Sequence, residues 1–249
     1  MARVDLSSVA VIIPCLNEEE AIGAVVREVL AEGVGAVVVV DNGSTDHTAD
    51  EARAAGARVV AAPERGYGRA CAAGAKAAPA ATPVLCFLDG DGSDVPGFLG
   101  DVAGPVIAGT ADFVMGSRLR GHREAGSLTA QQLVAGRLAG VMLRAAYGVR
   151  FTDMSPLRAI RADRLAALGM GEETYGWNLE MQMRAAAFGL VCLEVPVDHR
   201  CRRGGVSKVS GNLVAGLNAA MRITLTFLRL ALTLRRTPAP PAPLPRTSP

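Results

Sequence analysis

Short apolar runs alternate with amphipathic stretches through the first half of the chain. Strands are predicted for the apolar runs at 9–14, 37–41, 58–61, 84–89 and 112–116, of which the run at 58–61 is the weakest. Between them, apolar residues recur at helical spacing after Asn17, at about 46–56 and from Gly66 to about 78. This alternation predicts an α/β fold, with a mostly parallel sheet flanked by helices.

The second half has a less regular pattern. It predicts a helix at 128–147, a helix from Tyr175 to about 189, a strand at 191–197 and an amphipathic helix at 212–236. In a bilayer-spanning segment, Arg222 and Arg229 would each cost about 2.5–3.5 kcal/mol. An interfacial helix therefore fits better, with packing against the domain or a dimer partner as an equal alternative. The proline-rich residues 237–249 are predicted to be disordered.

Acidic residues follow two of the predicted strands. The run at 84–88 ends in Asp89, Asp91 and Asp94, which are separated by glycine and serine. Open α/β sheets bind ligands at this edge, and two carboxylates two residues apart can converge on Mg²⁺ or Mn²⁺. The alternative is a solvated Asp-Gly turn. Asp41 ends a second strand, so one pocket could hold a nucleoside at Asp41 and a metal-bound diphosphate at the other acids.

Composition narrows the class of partner. The net charge is +2 and only 4% of residues are aromatic, so a nucleic-acid partner is not expected. The five cysteines are scattered without a C-x-x-C, which indicates reduced thiols in a cytosolic protein. No signal peptide is apparent. Gly66 and Gly68 do not complete a dinucleotide fingerprint, because Cys71 stands at the third glycine position.

Four segments together carry a family resemblance: 11–19, 39–46, Asp89-Gly90-Asp91 and 116–118. In this order and spacing they resemble the inverting family 2 glycosyltransferases with the GT-A (Rossmann-like) fold. The chain is most similar to the dolichyl/polyprenyl-phosphate mannosyl- and glucosyltransferase group. The resemblance covers about residues 7–211. It implies one domain over 1–211, with nucleotide-sugar binding in about 1–117 and acceptor binding in about 118–211.

The resemblance also implies roles for individual residues on the donor side. Pro14, Asn17 and Glu18 would line the nucleoside pocket, and Asp41 would contact the base or ribose. Asp89, Gly90 and Asp91 would form the D-x-D motif, in which Asp89 and Asp91 bind the metal and Asp91 is the more direct ligand. Arg118 would neutralise phosphate charge, since cations stabilise the nucleoside diphosphate that leaves.

Two basic segments are expected to handle phosphate. The segment 118–124, which contains Arg123, is interpreted as a mobile lid over anionic groups, with a solvated surface loop as the alternative. The segment 202–208 resembles the family's R-x-x-G-x-S-K loop, in which Arg202, Ser207 and Lys208 would grip diphosphate or acceptor phosphate. The residues assigned to nucleotide-sugar binding thus include Arg202 and Lys208, and those assigned to the acceptor are Arg118, Arg123, Arg137 and Ser207.

Two acids in the second half have open roles. Asp153 lies in a looser match to the family's D-x-x-S-G-F-R segment and would either bind the donor sugar or cap a turn. Glu180 falls where inverting enzymes of this fold often place a general base; it could instead be a helix-surface residue or position other groups. Asp91, Arg118 and Glu180 are the predicted catalytic residues.

The predicted function is metal-dependent, inverting transfer of a sugar from a nucleotide donor to a polyprenyl-phosphate-type lipid. The first alternative is a hydroxyl acceptor on a glycolipid or glycan, with Glu180 as base. A nucleotidyltransferase would need a glycine-rich N-terminal loop that the segment after Pro14 lacks, and a non-catalytic sugar-nucleotide binder should have lost its acids. The expected location is cytoplasmic, peripheral on the membrane face, with a homodimer as a further option.

Overall fold

A single sheet of seven strands organises the part of the chain that the structure describes. This computed structural model describes residues 4–204 and 213–234. The strand order is β3-β2-β1-β4-β6-β5-β7. The strands are β1 (Val9–Cys15), β2 (Ala36–Asp41), β3 (Arg58–Ala61), β4 (Val84–Phe87), β5 (Phe113–Ser117), β6 (Arg158–Arg161) and β7 (Cys192–Pro196).

The sheet is mixed but mostly parallel, which confirms the predicted fold class. Strand β1 pairs in parallel with β2 and β4, β2 with β3, and β5 with β7. Strand β6 runs antiparallel between β4 and β5. It was not predicted, because its four residues include Arg158 and Arg161 and so lack the apolar run of a buried strand.

The helices that cover the sheet are α1 (Glu19–Ala31), α2 (Thr48–Ala54), α3 (Tyr67–Ala77), α4 (Leu99–Ile107), α5 (Ala130–Tyr147), α6 (Ala162–Leu168), α7 (Trp177–Ala187) and α8 (Leu213–Leu234). Helices α4 and α6 were not predicted. In α4, Gly100, Gly104 and Pro105 lower the helix propensity. Burial of Leu99, Val102 and Val106 against the sheet stabilises it instead.

The two faces of the sheet are buried under different helices. Strand side chains alternate between faces, so Val11 and Ile13 of β1 pack with α1, α2 and α4. Their neighbours Ala10 and Ile12 pack on the opposite face with α3, α5, α6, α7 and α8. Because both faces are covered, the central strands read as continuous apolar runs.

Helix α5 lies unusually close to the chain segment after it. Its buried side consists of Ala135, Gly136, Ala139, Gly140 and Leu143. A Cβ atom at Gly140 would lie 2.1 Å from the carbonyl oxygen of Phe151, so only glycine allows this approach. The helix is thereby held against the segment that carries Asp153.

Helix α8 packs on α5 and α7. In the described ranges, no helix is both long and apolar enough to cross a bilayer. The predicted loop residues Ser207 and Lys208, and the predicted tail at 237–249, lie outside the described residues.

Candidate active site

A cleft of about 400 Å³ opens where β1, β2 and β4 end. It is lined by Pro14, Cys15, Leu16, Glu18, Asn42, Arg65, Gly66, Tyr67, Ala70, Asp89, Gly90, Asp91, Gln132, Thr174, Tyr175 and Arg202. The carboxyl ends of parallel strands are the usual ligand site of such sheets. Six residues that the sequence assigned to nucleotide-sugar binding meet here: Pro14, Glu18, Asp89, Gly90, Asp91 and Arg202.

Two other predicted nucleotide residues, Asn17 and Asp41, join the loops beside the cleft. The backbone of Asn17 is left-handed, with φ +53°. Its N–H donates to Ser44 Oγ at 3.0 Å, and its Oδ1 accepts from the N–H of Thr45 at 2.9 Å. Asp41 Oδ1 accepts from the N–H of Ser44 at 2.9 Å. These bonds lock the loop after β1 to the loop after β2.

The loop after β4 concentrates negative charge. The N–H of Asp89 donates to Asp94 Oδ2 at 3.0 Å, and Asp91 Oδ1 accepts from the N–H and Oγ of Ser93 at 2.9 and 2.7 Å. Burial, with the charges of Asp94 and Asp91, raises the pKa of Asp89 well above its ordinary value. Burial also raises the pKa of Asp94 to about 6. A cation beside this loop would relieve the repulsion.

The donor set of this loop fits a divalent cation shared with a phosphate. Among the described residues, no group of three or more His, Cys, Asp or Glu side chains is placed to hold a metal. Asp89 and Asp91 offer hard oxygen donors, and Mg²⁺ is commonly held by one or two carboxylates plus substrate phosphates. Asp94 Oδ1 is buried without a hydrogen-bond partner among the described residues. This free oxygen adds a further hard donor beside Asp89 and Asp91.

Arg118 and Asp153 form a buried, bidentate ion pair. Arg118 Nε donates to Asp153 Oδ2 and Nη2 donates to Oδ1, both at 2.8 Å, while the Arg118 N–H donates to Oδ2 at 3.0 Å. Burial opposes ionisation of Asp153, but the charge and hydrogen bonds of Arg118 lower its pKa below the ordinary value. Both oxygens of Asp153 are thus engaged by Arg118, and Asp153 fixes the orientation of that guanidinium.

The segment 199–204 is fastened to the acidic loop. The N–H of Arg200 donates to the carbonyl of Ser93 at 3.0 Å, and the N–H of Arg203 donates to the carbonyl of Asp91 at 3.0 Å. Arg200 Nε also donates to the carbonyl of Gly92 at 2.6 Å. These bonds place Arg202, between the two other arginines, at the wall of the cleft.

Glu28 of α1 clamps the same segment from outside. It accepts hydrogen bonds from Arg200 Nη2 at 2.6 Å and from Arg203 Nη2. Burial would raise its pKa, but Arg200 and Arg203 lower it below the ordinary value. The sequence did not predict these contacts of Glu28, because Glu28 lies on an ordinary amphipathic helix and its two partners are far away in sequence.

His199 is packed inside the site and shows no metal-ligand geometry. Its Nδ1 lies 3.8 Å from Asp94 Oδ1, which is too long for a hydrogen bond. Burial and the charge of Arg118 lower the pKa of His199 to about 4. Its backbone bridges both Asp94 and Arg123. His199 therefore joins the acidic loop to the basic segment at 118–124.

That basic segment is held at several points. The N–H of His122 donates to Asp198 Oδ1 at 2.9 Å, and Arg120 Nη1 donates to the carbonyl of Glu194 at 2.8 Å. Arg123 is half-buried within it, whereas Arg137 is exposed on α5. The structure thus brings Arg123 to the bridge with His199 and leaves Arg137 on an outer helix face.

Glu180 is buried on α7 and fully engaged. It accepts from the N–H of Gly171, from the N–H of Glu172 at 2.6 Å, and from Arg184 Nε at 2.8 Å. Its relative exposure is 1%. It fixes the loop after α6, whose Thr174 and Tyr175 line the cleft. This geometry agrees with the alternative in which Glu180 positions other groups, because the Glu180 oxygens point to backbone N–H groups and to Arg184.

Tyr67 lines the cleft and contacts Asp89, which the sequence pattern did not indicate. Its Oη lies 3.2 Å from Asp89 Oδ1. Burial and the charge of Asp89 raise the pKa of Tyr67 well above the ordinary value, so the hydroxyl stays protonated and donates. The ring of Tyr67 stacks on that of Tyr175, with centroids 6.3 Å apart. Together the two rings form an aromatic wall of the cleft.

Gly66 is the one sequence feature that could have pointed to this aromatic wall. Gly66 has φ +154°, and a Cβ there would lie 2.3 Å from the carbonyl oxygen of Glu173. Its N–H donates to Asn42 Oδ1 at 2.8 Å. The glycines that open α3 therefore allow its first turn to press against the loop that carries Tyr175.

The chain has an α/β fold with an acidic cleft at the carboxyl edge of its sheet, and comparison with known proteins places it in a family. Residues 10–163 match the model of Glycosyl transferase family 2. The chain belongs to that family and is a glycosyltransferase of the GT-A fold.

Several relatives are similar over most of their length. An uncharacterised glycosyltransferase of Mycobacterium tuberculosis is 38% identical over 218 residues, covering 86% of this chain and 95% of the relative. The undecaprenyl-phosphate mannosyltransferase of Micrococcus luteus is 33% identical, covering 83% and 89%. The polyprenol monophosphomannose synthase of Mycolicibacterium smegmatis is 32% identical, covering 81% of each.

Solved structures share the fold. The glucosyl-3-phosphoglycerate synthase of Mycobacterium tuberculosis, in complex with Mn²⁺, UDP-glucose and phosphoglyceric acid, superposes with a TM-score of 0.67. It is 23% identical, and the match covers 89% of this chain and 79% of that one. At this identity the likeness establishes the GT-A architecture.

Proposed function

We propose that the protein transfers a sugar from a nucleotide-sugar donor to a polyprenyl-phosphate-type lipid, with inversion and with help from Mg²⁺ or Mn²⁺. One observation carries the proposal: Asp89, Asp91 and Arg202 line the same cleft at the carboxyl edge of the sheet, with Arg202 Nη1 3.9 Å from Asp91 Oδ2. A divalent ion held by carboxylates and an arginine beside it can together neutralise a diphosphate. The catalytic domain is proposed to comprise residues 1–211, with the donor half at about 1–117.

The chemistry follows from where the charges lie. The acceptor oxygen forms a bond to the anomeric carbon while the bond from that carbon to the diphosphate oxygen breaks, and the nucleoside diphosphate leaves with the electron pair. When bound, the divalent ion would neutralise that developing charge. Asp89 and Asp91 would hold it, and Arg202 and Lys208 would bind phosphate oxygens. Asp153 keeps Arg118 oriented behind the loop.

The acceptor is proposed to be a lipid phosphate. A phosphate is already ionised at neutral pH and needs no base, which agrees with a Glu180 whose oxygens are occupied by two N–H groups and Arg184. The names of the Micrococcus and Mycolicibacterium relatives point to the same class of acceptor. Arg123 and Ser207 are the proposed acceptor contacts, whereas Arg118 is held by Asp153 and Arg137 lies on the outer face of α5. The proposed location is the cytoplasmic membrane face.

A hydroxyl acceptor is the second candidate. Its general base would be Glu180, which lies in the first turn of α7 and holds the loop that contributes Thr174 and Tyr175 to the cleft. If Glu180 acted as base, Glu180→Gln would lower single-turnover transfer by about 10²–10⁴-fold. If it only positions the loop, we expect a lower melting temperature but a rate within about tenfold of the original, measured well below that temperature.

The deciding experiment has two stages. Isothermal titration with a panel of nucleoside diphosphates in Mn²⁺ identifies the donor base. The matching sugar nucleotides are then incubated with polyprenyl phosphate, with polyprenol and with a glycolipid. We expect product with polyprenyl phosphate alone. Transfer only to a hydroxyl acceptor would establish the second candidate, and absence of nucleotide binding would overturn the donor assignment.

A further inference from the structure

The outer face of α8 carries an exposed apolar stripe. Met221, Leu225, Leu228 and Leu232 recur at helical spacing and are 54, 59, 52 and 60% exposed. The opposite face of the helix holds Phe227, Leu230 and Leu234, which are buried against the domain. Packing on the domain therefore accounts for one face of α8 and leaves the other apolar face in contact with solvent.

Helix α5 also carries exposed apolar residues. Val134 and Val141, one heptad apart on α5, are 56 and 67% exposed. Helices α5 and α8 pack against each other, and both pack against α7 beneath them. Their outward sides form one surface, here named the outer α5/α8 face. Exposed apolar residues that cluster on two packed helices mark an interaction site more often than scattered single residues do.

All charged residues of α5 and α8 are positively charged. Neither α5 nor α8 contains an aspartate or glutamate, and their charged residues are Arg137, Arg144, Arg222 and Arg229. Arg137 and Arg144 are exposed beside the valines of α5. Arg229 is ion-paired with Glu172 of the loop after α6. An apolar stripe flanked by arginines is complementary to a surface with anionic groups above an apolar interior.

The outer α5/α8 face adjoins the cleft. The first turn of α5 contributes Gln132 to the lining, and the loop that carries Glu172 continues to Thr174 and Tyr175 in the same wall. The ion pair between Arg229 and Glu172 ties α8 to that loop. A partner seated on this face would therefore lie next to the cleft mouth.

We propose that the outer α5/α8 face binds the surface of an anionic lipid bilayer. This inference rests on the proposed function for its biological use, because a lipid-linked acceptor would then reach the cleft from the surface that the enzyme touches. A second copy of the chain is a poorer fit. A two-fold dimer places the same patch on itself, so the arginines of both helices would meet with no acid on either helix to pair with them.

The experiment uses the full chain and vesicle co-sedimentation. Vesicles of phosphatidylcholine with about one-third phosphatidylglycerol are compared with phosphatidylcholine alone, at low and high salt. The double variant Leu225→Gln with Leu228→Gln removes two members of the stripe without touching the buried side of α8. The matched control is Leu30→Gln with Ile107→Gln, which are 37 and 38% exposed on the opposite side of the sheet.

We expect the unmodified chain to pellet with anionic vesicles, less at high salt, and the stripe variant to lose at least tenfold in apparent affinity. Arg144→Gln should lose about fivefold, the contribution of one surface cation. The control should bind as before, and every variant should keep its nucleotide binding and melting profile. Equal pelleting of stripe variant and control would overturn the proposal, as would failure of the unmodified chain to pellet.

Sedimentation velocity distinguishes binding of a lipid surface from binding of a second copy of the chain. If the stripe variant converts a dimer to a monomer while vesicle binding is unaffected or absent, the face is a self-association surface and the lipid proposal is wrong. The readout is independent of catalysis. Vesicle binding without sugar transfer would therefore contradict the proposed function alone, and transfer in detergent without vesicle binding would contradict this proposal alone.

Discussion

Arg202 donates from Nη2 to both carboxylate oxygens of Glu18, at 3.1 and 3.0 Å, and its Nη1 lies 3.9 Å from Asp91 Oδ2. One guanidinium therefore links Glu18, just before α1, to the acidic loop after β4. An incoming diphosphate offers pairs of oxygens that a guanidinium can bind in a bidentate manner, as it binds a carboxylate. We expect Arg202 to exchange its Glu18 contact for phosphate when the donor binds.

Replacing Arg202 tests that exchange. Arg202→Ala should lower kcat/KM for sugar transfer by about 10²–10³-fold, because a charged donor to the leaving group is lost. Steady-state kinetics with varied donor provide the measurement. Arg53→Ala, which removes an exposed arginine paired with Asp50 on α2, is the matched control and should act like the original. Equal activity of both variants would remove Arg202 from the phosphate site.

The acidic loop is tested at Asp91. Asp91→Asn keeps the side-chain size but removes one anionic oxygen ligand, so transfer should fall by at least about 100-fold while the melting temperature changes little. Activity is titrated with Mn²⁺. The control is Asp101→Asn, an exposed acid in the first turn of α4. Near-normal turnover of Asp91→Asn at any Mn²⁺ concentration would contradict the D-x-D assignment.

Tyr67 should act through Asp89. Tyr67→Phe removes the hydroxyl that donates to Asp89 Oδ1 but keeps the ring stacked on Tyr175. Partners behind a metal ligand typically change metal affinity by about 10–100-fold when lost. We therefore expect a higher Mn²⁺ requirement with kcat largely restored at saturating Mn²⁺. The control is Tyr175→Phe. The Tyr175 side chain is 65% exposed, so this change should leave the Mn²⁺ titration unchanged.

The buried pair Arg118–Asp153 predicts a stability effect. Asp153→Asn leaves the Arg118 guanidinium buried without its counter-charge, which should cost about 3–5 kcal/mol in the free energy of unfolding. Urea denaturation at neutral pH measures it. Asp163→Asn breaks the more exposed pair with Arg161 and should cost at most about 1 kcal/mol. Similar losses in both variants would show that burial does not distinguish the two pairs.

The Arg118–Asp153 pair also predicts how the stability of the protein changes with pH. The pKa of Asp153 is lower in the folded protein than in an unfolded chain. Its contribution to stability is therefore fully present above the ordinary carboxyl pKa of about 3.9 and is lost as the pH falls through the lowered value. The stability gap between the original protein and Asp153→Asn should accordingly narrow in strong acid.

Much of the fold followed from local pattern. The strands β1, β2 and β4 are uninterrupted apolar runs because both of their faces are covered, and that pattern is visible without any tertiary information. The acids Asp89 and Asp91 stand directly after such a run, so their place at the sheet edge was predictable from chain order. The family resemblance rested on these same positions.

Other features depend on residues that are distant in sequence. Strand β6 has no apolar signal, since Arg158 and Arg161 are half of it, and it forms only because β4 and β5 flank it. The pairing of Arg118 with Asp153 and of Arg200 and Arg203 with Glu28 joins different elements. Hydrophobic periodicity carries no information on which charges meet.

Glu180 and Arg202 show most clearly what the sequence determines and what only the tertiary structure decides. The sequence by itself determined that an acid opens α7 and that an arginine-rich segment follows β7, because these are local properties of helix start and composition. Only the tertiary structure decided that Glu180 turns inward to the N–H groups of Gly171 and Glu172, and that Arg202 turns to Glu18. A side chain's role depends on which donors and charges the fold brings within hydrogen-bond distance, and that distance is set by packing of the whole domain.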